Sequence, residues 1–229
     1  MNRFRYILLI LVSAVVTDVC GQEIAHIPFK HYGDMVERFA KARPIDSTDV
    51  VMLGNSLTEY AGNWSKLMHA DKIVNRGIAG DDATGMYNRL GQILPGRPKA
   101  IFLMAGINDL SHNHTPARVA ELVERVMARI RRESPSTRLY VQSLLPISES
   151  GGRWKLLEGK TDDVAATNVM LAGYCRKHNV EYIDLFPRFV RRGTNTMRSE
   201  LTSDGLHLTP LGYKQWSFVL RKYIRALYD

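Results

Sequence analysis

At 229 residues the chain is long enough for one sizeable domain and short for two. Hydrophobic residues make up 45% and charged residues 24%, an ordinary globular profile, and no repeat, low-complexity tract or Pro/Gly/Ser-rich linker divides it. The formal net charge is +8, but basic residues such as Arg125, Arg129, Arg131 and Arg132 are spread along a helix. That is a solvated face, and it gives no basic arm for nucleic acid.

Arg3 and Arg5 precede an apolar run over 6–16 that is too short to span a bilayer. A basic start, a short apolar stretch and small residues beyond it predict a signal peptide over 1–21, cut after Gly21. The mature protein is then expected to be secreted or periplasmic, without stable membrane insertion. Cys20 offers lipid anchoring as an alternative, although Thr17-Asp18-Val19 lacks the Leu and small residue of a lipobox. Residues 22–229 are expected to form a single domain. Cys175 then has no disulfide partner, and its place beside Ala172 and Tyr174 predicts a small buried apolar residue.

Helical spacing over 29–42 (Tyr32, Met35, Val36, Phe39) ends near Pro44. The apolar run 48–53 predicts a buried first strand. It leads into Gly54-Asn55-Ser56, a turn that exposes Ser56 at the sheet edge as a nucleophile or uses it to cap the next helix. A short helical or irregular segment follows over 58–69, then a second strand over 72–75. A helix is expected from Asp81-Asp82 to Leu94, and a third strand over 99–104, purely apolar from Ala100. Thr115-Pro116 opens a long helix to about Glu133. A fourth strand over 138–143 precedes the longest irregular stretch, 144–160. A helix over 161–178, a fifth strand over 180–185, a loop or short helix over 186–203 and a terminal helix from Thr209-Pro210 complete the chain. Strands alternating with helices predict an α/β fold, a three-layer α/β/α sandwich on a five-stranded parallel sheet. In that fold the segments after the first three strands, carrying Ser56, Gly80 and Asn108, meet at one edge. Near the end, Asp204 and His207 are three apart, so one turn can aim both at a common target. A helix-entry loop with a surface histidine has the same spacing.

Four segments in order carry a resemblance: Gly54-Asn55-Ser56-Leu57, Asn75-Arg76-Gly77-Ile78-Ala79-Gly80, Gly106-Ile107-Asn108-Asp109 and Asp204-Gly205-Leu206-His207. Together they resemble the SGNH hydrolases, also called GDSL esterases and lipases, over about residues 48–227. The resemblance implies a flavodoxin-like sheet, with Ser56 as nucleophile, His207 as general base and Asp204 as its orienting carboxylate. It also implies an oxyanion hole of the Ser56 and Gly80 N–H groups and the Asn108 amide. Asn55 stands where the family has Asp; the side-chain hydrogen bonds of the turn can persist while the charge is lost.

The chain is most similar in appearance to compact bacterial acetylhydrolases and carbohydrate O-acetylesterases. The expected activity is hydrolysis of short-chain, acetyl esters of a small molecule or carbohydrate, without cofactor or metal. His112 and His114, which follow Asn108, lack a carboxylate or Cys partner at ligand spacing and are expected to be surface residues. A lysophospholipase or thioesterase acting on longer chains, and a non-catalytic glycan-binding module, are the alternatives. The 144–160 stretch, with Trp154, Leu156 and Leu157, lines the pocket or packs as a surface loop.

Overall fold

The computed structural model describes residues 26, 29–151 and 153–228. The expected leader and Cys20 lie outside the described residues.

Five short strands make one parallel sheet: β1 (Val50–Gly54), β2 (Ile73–Gly77), β3 (Ala100–Leu103), β4 (Arg138–Gln142) and β5 (Glu181–Ile183). Their order is β2-β1-β3-β4-β5, the flavodoxin-like order. β1 and β3 are buried along their whole length, which is why both read as unbroken apolar runs. The chain leaves β1 toward β2 on one side and leaves β2 toward β3, β4 and β5 on the other. The ends of β1 and β3 therefore flank the point where the winding reverses, the position at which open α/β sheets bind ligands.

The helices are α1 (Lys30–Lys41), α2 (Ser56–Glu59), α3 (Trp64–Met68), α4 (Ala83–Asn88), α5 (Ile107–Ser111), α6 (Pro116–Glu133), α7 (Thr161–Lys177), α8 (Phe186–Phe189) and α9 (Pro210–Arg225). Right-handed crossovers running in opposite directions put their helices on opposite faces of the sheet. Accordingly α4, α6 and α7 pack side by side, while α3 packs against α9. On β4 the alternate residues Tyr140 and Gln142 face α9. The Tyr140 ring lies 5.7 Å from that of Tyr223, and Trp216 Nε1 donates to Gln142 Oε1 at 2.7 Å. Between α6 and α7, fully buried Cys175 sits 3.9 Å from the Met127 sulfur, and burial pushes its thiol up to a pKa of about 11, so it is an apolar filler.

The fold differs from expectation in the helix after Gly80. It is not continuous to Leu94: α4 ends at Asn88 and gives way to 3₁₀ turns at Arg89–Gln92 and Leu94–Gly96. Gly91 and Pro95 weaken the helix there, and Arg89 is drawn inward to a buried partner described below. α5 is too short to carry a periodic signal in the sequence.

Candidate active site

Ser56 opens α2, directly beyond β1. Asn55 caps this helix, its Oδ1 accepting from Leu57 N–H at 3.0 Å. The uncharged residue thus does what the turn requires of that position. A four-residue helix leaves its carbonyls unsatisfied, and here other elements take them up. Tyr213 of α9 donates to Leu57 O at 3.0 Å, and Trp64 Nε1 to Thr58 O at 3.0 Å. Asn75 Nδ2 reaches Thr58 O, Glu59 O and Gly62 O at 3.0, 3.1 and 3.0 Å. Contrary to expectation, Ser56 is not an exposed turn residue; it is 7% exposed.

His207 Nε2 lies 3.0 Å from Ser56 Oγ, and His207 Nδ1 lies 2.9 Å from Asp204 Oδ2. A carboxylate only accepts, so Nδ1 carries the proton and Nε2 is left to accept from the serine hydroxyl. Asp204 Oδ1 also accepts from the N–H groups of Leu206 and His207, at 3.0 and 2.7 Å, which fixes the loop on which both residues ride. Partial burial works to raise the Asp204 carboxyl, but the bonds from the His207 ring and from these backbone N–H groups outweigh it. The net effect lowers its pKa to about 2, so it is ionised at neutral pH. Gly205 between them has φ +94° and presses its Cα against the Ser148 carbonyl, while Ser148 N–H donates to Gly205 O at 2.7 Å. Only glycine allows that approach, which brings the 144–160 stretch onto the histidine loop.

The loop after β2 turns at Gly80 with φ +85°. Among the described residues, neither Ser56 N–H nor Gly80 N–H has a partner. Asn108 starts the first turn of α5, beyond β3. Its Nδ2 donates one proton to Asp81 O at 2.7 Å, leaving the second free. The donors are thus mechanically joined, since Asp81 follows Gly80. Further ties hold the same loops. Both Asp109 oxygens accept from Ala83 N–H, at 3.2 and 3.1 Å. Fully buried Asp81 accepts from Arg89 Nε at 2.8 Å, and Arg89 Nη2 donates to Gly54 O at 3.0 Å. Glu59 Oε2 accepts from Ala79 N–H at 2.5 Å and lies 3.0 Å from His31 Nε2. The ends of β1, β2 and β3 are one cross-linked piece. Burial pushes Asp81 up to about 7 against the pull of Arg89, and pushes Asp109 up to about 7 with help from the neighbouring Asp82.

Of the expected site residues, Ser56, Asp204 and His207 form one hydrogen-bonded chain, and Gly80 and Asn108 lie on the loops after β2 and β3, tied to each other through Asp81. A hydroxyl held against a neutral imidazole whose far nitrogen is carboxylate-bound can be deprotonated as it attacks a carbonyl. Fixed, uncharged N–H donors beside it can receive the resulting oxyanion. The ties through Asn75, Asp81, Arg89 and Glu59 were not foreseen; Asn75 and Asp81 stand within or beside a quoted motif, but nothing local to Arg89 or Glu59 signals a buried bond. His112 is exposed, as expected, yet does have a carboxylate near it, Asp82 Oδ2 at 3.8 Å. Among the described residues no group of three or more His, Cys, Asp or Glu is placed to hold a metal ion. Nor is any helix among them long and apolar enough to cross a membrane.

Residues 34–215 match the model of the GDSL-like Lipase/Acylhydrolase family. The chain belongs to that family. This GDSL-family protein is a carboxylic ester hydrolase. It is 25% identical over 186 residues to the platelet-activating factor acetylhydrolase IB subunit alpha2 of Rattus norvegicus, covering 79% of this chain and 78% of that protein. Its fold is similar to that of a GDSL-like lipase from Bacteroides thetaiotaomicron VPI-5482, with a TM-score of 0.72, 18% identity and coverage of 85% of this chain and 97% of that one. It is also similar to that of the acetyl xylan esterase AlAXEase, with a TM-score of 0.63, 18% identity and coverage of 77% and 99%.

Proposed function

We propose that the protein is an exported serine esterase that removes short acyl groups, acetyl above all, from carbohydrate esters. The observation that carries this reading is the Asp204–His207–Ser56 chain, with links of 2.9 and 3.0 Å.

Ser56 Oγ attacks the ester carbonyl as its proton passes to His207 Nε2. The carbonyl π electrons move to oxygen, and the N–H groups of Ser56 and Gly80 with the Asn108 amide hold that charge. His207 returns the proton to the alcohol oxygen as the C–O bond breaks. The acyl group stays on Ser56 until a water, deprotonated in the same way, releases it. Asp204 stays ionised throughout and stabilises the imidazolium.

Two observations support a short acyl group. The similar mammalian protein is named an acetylhydrolase. The Phe29 ring also stands against Gly80, so closely that a Cβ there would lie 2.9 Å from its Cζ, which narrows the space beside that donor. The carbohydrate assignment draws on the likeness to an acetyl xylan esterase. Export rests on the basic and apolar pattern of residues 1–21.

The test is acetate release from acetylated xylan by wild type and Ser56→Ala, with fluorophosphonate labelling and a series of p-nitrophenyl esters. Turnover should fall at least about a thousandfold in the variant. The probe should label wild type alone, and activity should drop sharply beyond acetyl. Wild-type rates in Ser56→Ala would remove this serine from the mechanism. Rates rising with acyl length would reassign the enzyme to long-chain substrates.

A further inference from the structure

The mechanism dictates where the alcohol half of the ester must lie. His207 Nε2 has to hand a proton to the departing oxygen, so the leaving group sits on the histidine side of Ser56, away from Gly80 and Asn108. Two aromatic rings border that side. The Tyr60 ring, at the end of α2, is centred 5.1 Å from the His207 ring, and Trp154, from the 144–160 stretch, is also centred 5.1 Å from it. Neither is a core residue: Tyr60 is 55% and Trp154 39% exposed, while Trp64 and Trp216 are wholly buried. Large rings left in water beside a reacting histidine lose apolar exposure as soon as a ligand covers them. Beyond Trp154 a cavity of about 350 Å3 opens, bordered by Ile147, Ser148, Arg153, Glu158 and Gly205. Its volume is at the small end of ligand pockets.

We propose that Tyr60, Trp154 and this cavity form the subsite for the alcohol, and that the alcohol it takes is a pyranose. The assignment rests on the esterase reading above. A pyranose pairs an apolar C–H face, which packs on an aromatic ring, with a rim of hydroxyls, and the cavity offers both partners. The charges around it offer nothing extra to a quaternary ammonium, the other ligand aromatic rings attract. The Arg153 guanidinium lies 6.0 Å from the Trp154 ring, and Lys155 is adjacent. Glu149 is already engaged, accepting from Gly159 N–H, Thr161 N–H and the Thr161 hydroxyl. With two acidic side chains, Glu149 and Glu158, set against two basic ones, the lining carries no net negative charge to hold a cation, whereas its donors and acceptors suit the hydroxyls of a neutral sugar.

Two measurements test this. The first is kcat/KM for acetylated xylotriose relative to vinyl acetate, whose alcohol half has no ring. Trp154→Ala and Tyr60→Ala should each lower that ratio at least tenfold, mainly through KM, and Trp154→Phe should restore most of it. The second does not depend on catalysis. Trp154 is the exposed one of three tryptophans, so tryptophan fluorescence of Ser56→Ala should change saturably with xylotriose and not with choline chloride. An unchanged ratio, or equal losses on both substrates, would overturn the subsite and leave these rings as supports for His207. A saturable response to choline alone would overturn the sugar assignment. Should acetylated substrates not be cleaved at all, the esterase reading fails and the fluorescence titration still decides whether Trp154 binds a sugar.

Discussion

Asn108→Ala separates chemistry from architecture, because the side chain does two jobs with one amide. One Nδ2 proton is spent on Asp81 O at 2.7 Å, and the other is the donor assigned to the oxyanion. Removing an oxyanion donor costs about a hundred- to a thousandfold in turnover, or about 2.7–4 kcal/mol in the barrier. The bond to Asp81 is worth about 1 kcal/mol of stability, and Asn108 is only half-buried, so water can replace it. A loss of that size lowers Tm by about 2–4 °C in a domain of this length. The large effect therefore belongs in kcat, with KM little changed, because the amide bonds most strongly to charge that exists only in the transition state. Steady-state kinetics on p-nitrophenyl acetate, paired with thermal melts, provide the assay. A change confined to KM would mean that Asn108 binds ground-state substrate. A collapse of Tm as large as the barrier change would mean that the Asp81 tie, not the oxyanion, is what was lost.

The remaining predictions concern the charges. Asp204→Asn should slow turnover about ten-thousandfold at neutral pH, because an amide no longer selects the tautomer that leaves Nε2 free; a rate–pH series showing an undiminished rate would exclude Asp204 as the partner of His207. Asp109 has a folded-state pKa raised to about 7, so the stability its neutral form contributes is complete below the unfolded-chain value of about 4 and is lost as pH rises through about 7. Asp109→Asn keeps an acceptor for Ala83 N–H without titrating, so its Tm relative to wild type should climb between pH 5 and pH 8; a constant difference would refute the raised pKa. Arg89→Met strands the buried Asp81 carboxylate and should cost about 3–5 kcal/mol at pH 8, most of it recovered in Asp81→Asn/Arg89→Met. Urea unfolding checks this, and a double variant no more stable than the single would show that Arg89 acts through Gly54 O rather than through Asp81.

What the sequence reveals about this molecule follows from how local each feature is. β1 and β3 are legible because a strand buried on both faces must be apolar throughout, and the parallel order follows from alternation with helices. Ser56, Gly80, Asn108, Asp204 and His207 are legible because each sits in a short motif at a strand end or helix entry. The ties are not. Arg89 looks like one more charged helix residue until its side chain, 1% exposed, is seen bonded to Asp81 and Gly54 O. The contact of Ser56 with His207 joins segments far apart along the chain. Tyr60 and Trp154 meet at His207 from separate segments, and no spacing within either one announces it.

The Ser56–His207 contact joins residues 151 positions apart, and one hydrogen bond cannot hold such a loop closed. Core packing does so instead. Trp216 of α9 and Trp64 of α3, both fully buried, meet edge to face at 5.0 Å. Tyr213 reaches from the same helix to Leu57 O, one residue beyond the serine. The histidine loop feeds directly into α9, whose N-cap is Thr209, so docking α9 on α3 and α2 brings His207 to Ser56. A pair of buried tryptophans supplies several kilocalories where the Ser56–His207 hydrogen bond supplies about one. The proton-transfer geometry is thus a by-product of the hydrophobic core, and Ser56 and His207 do not have to sacrifice reactivity to hold the fold together.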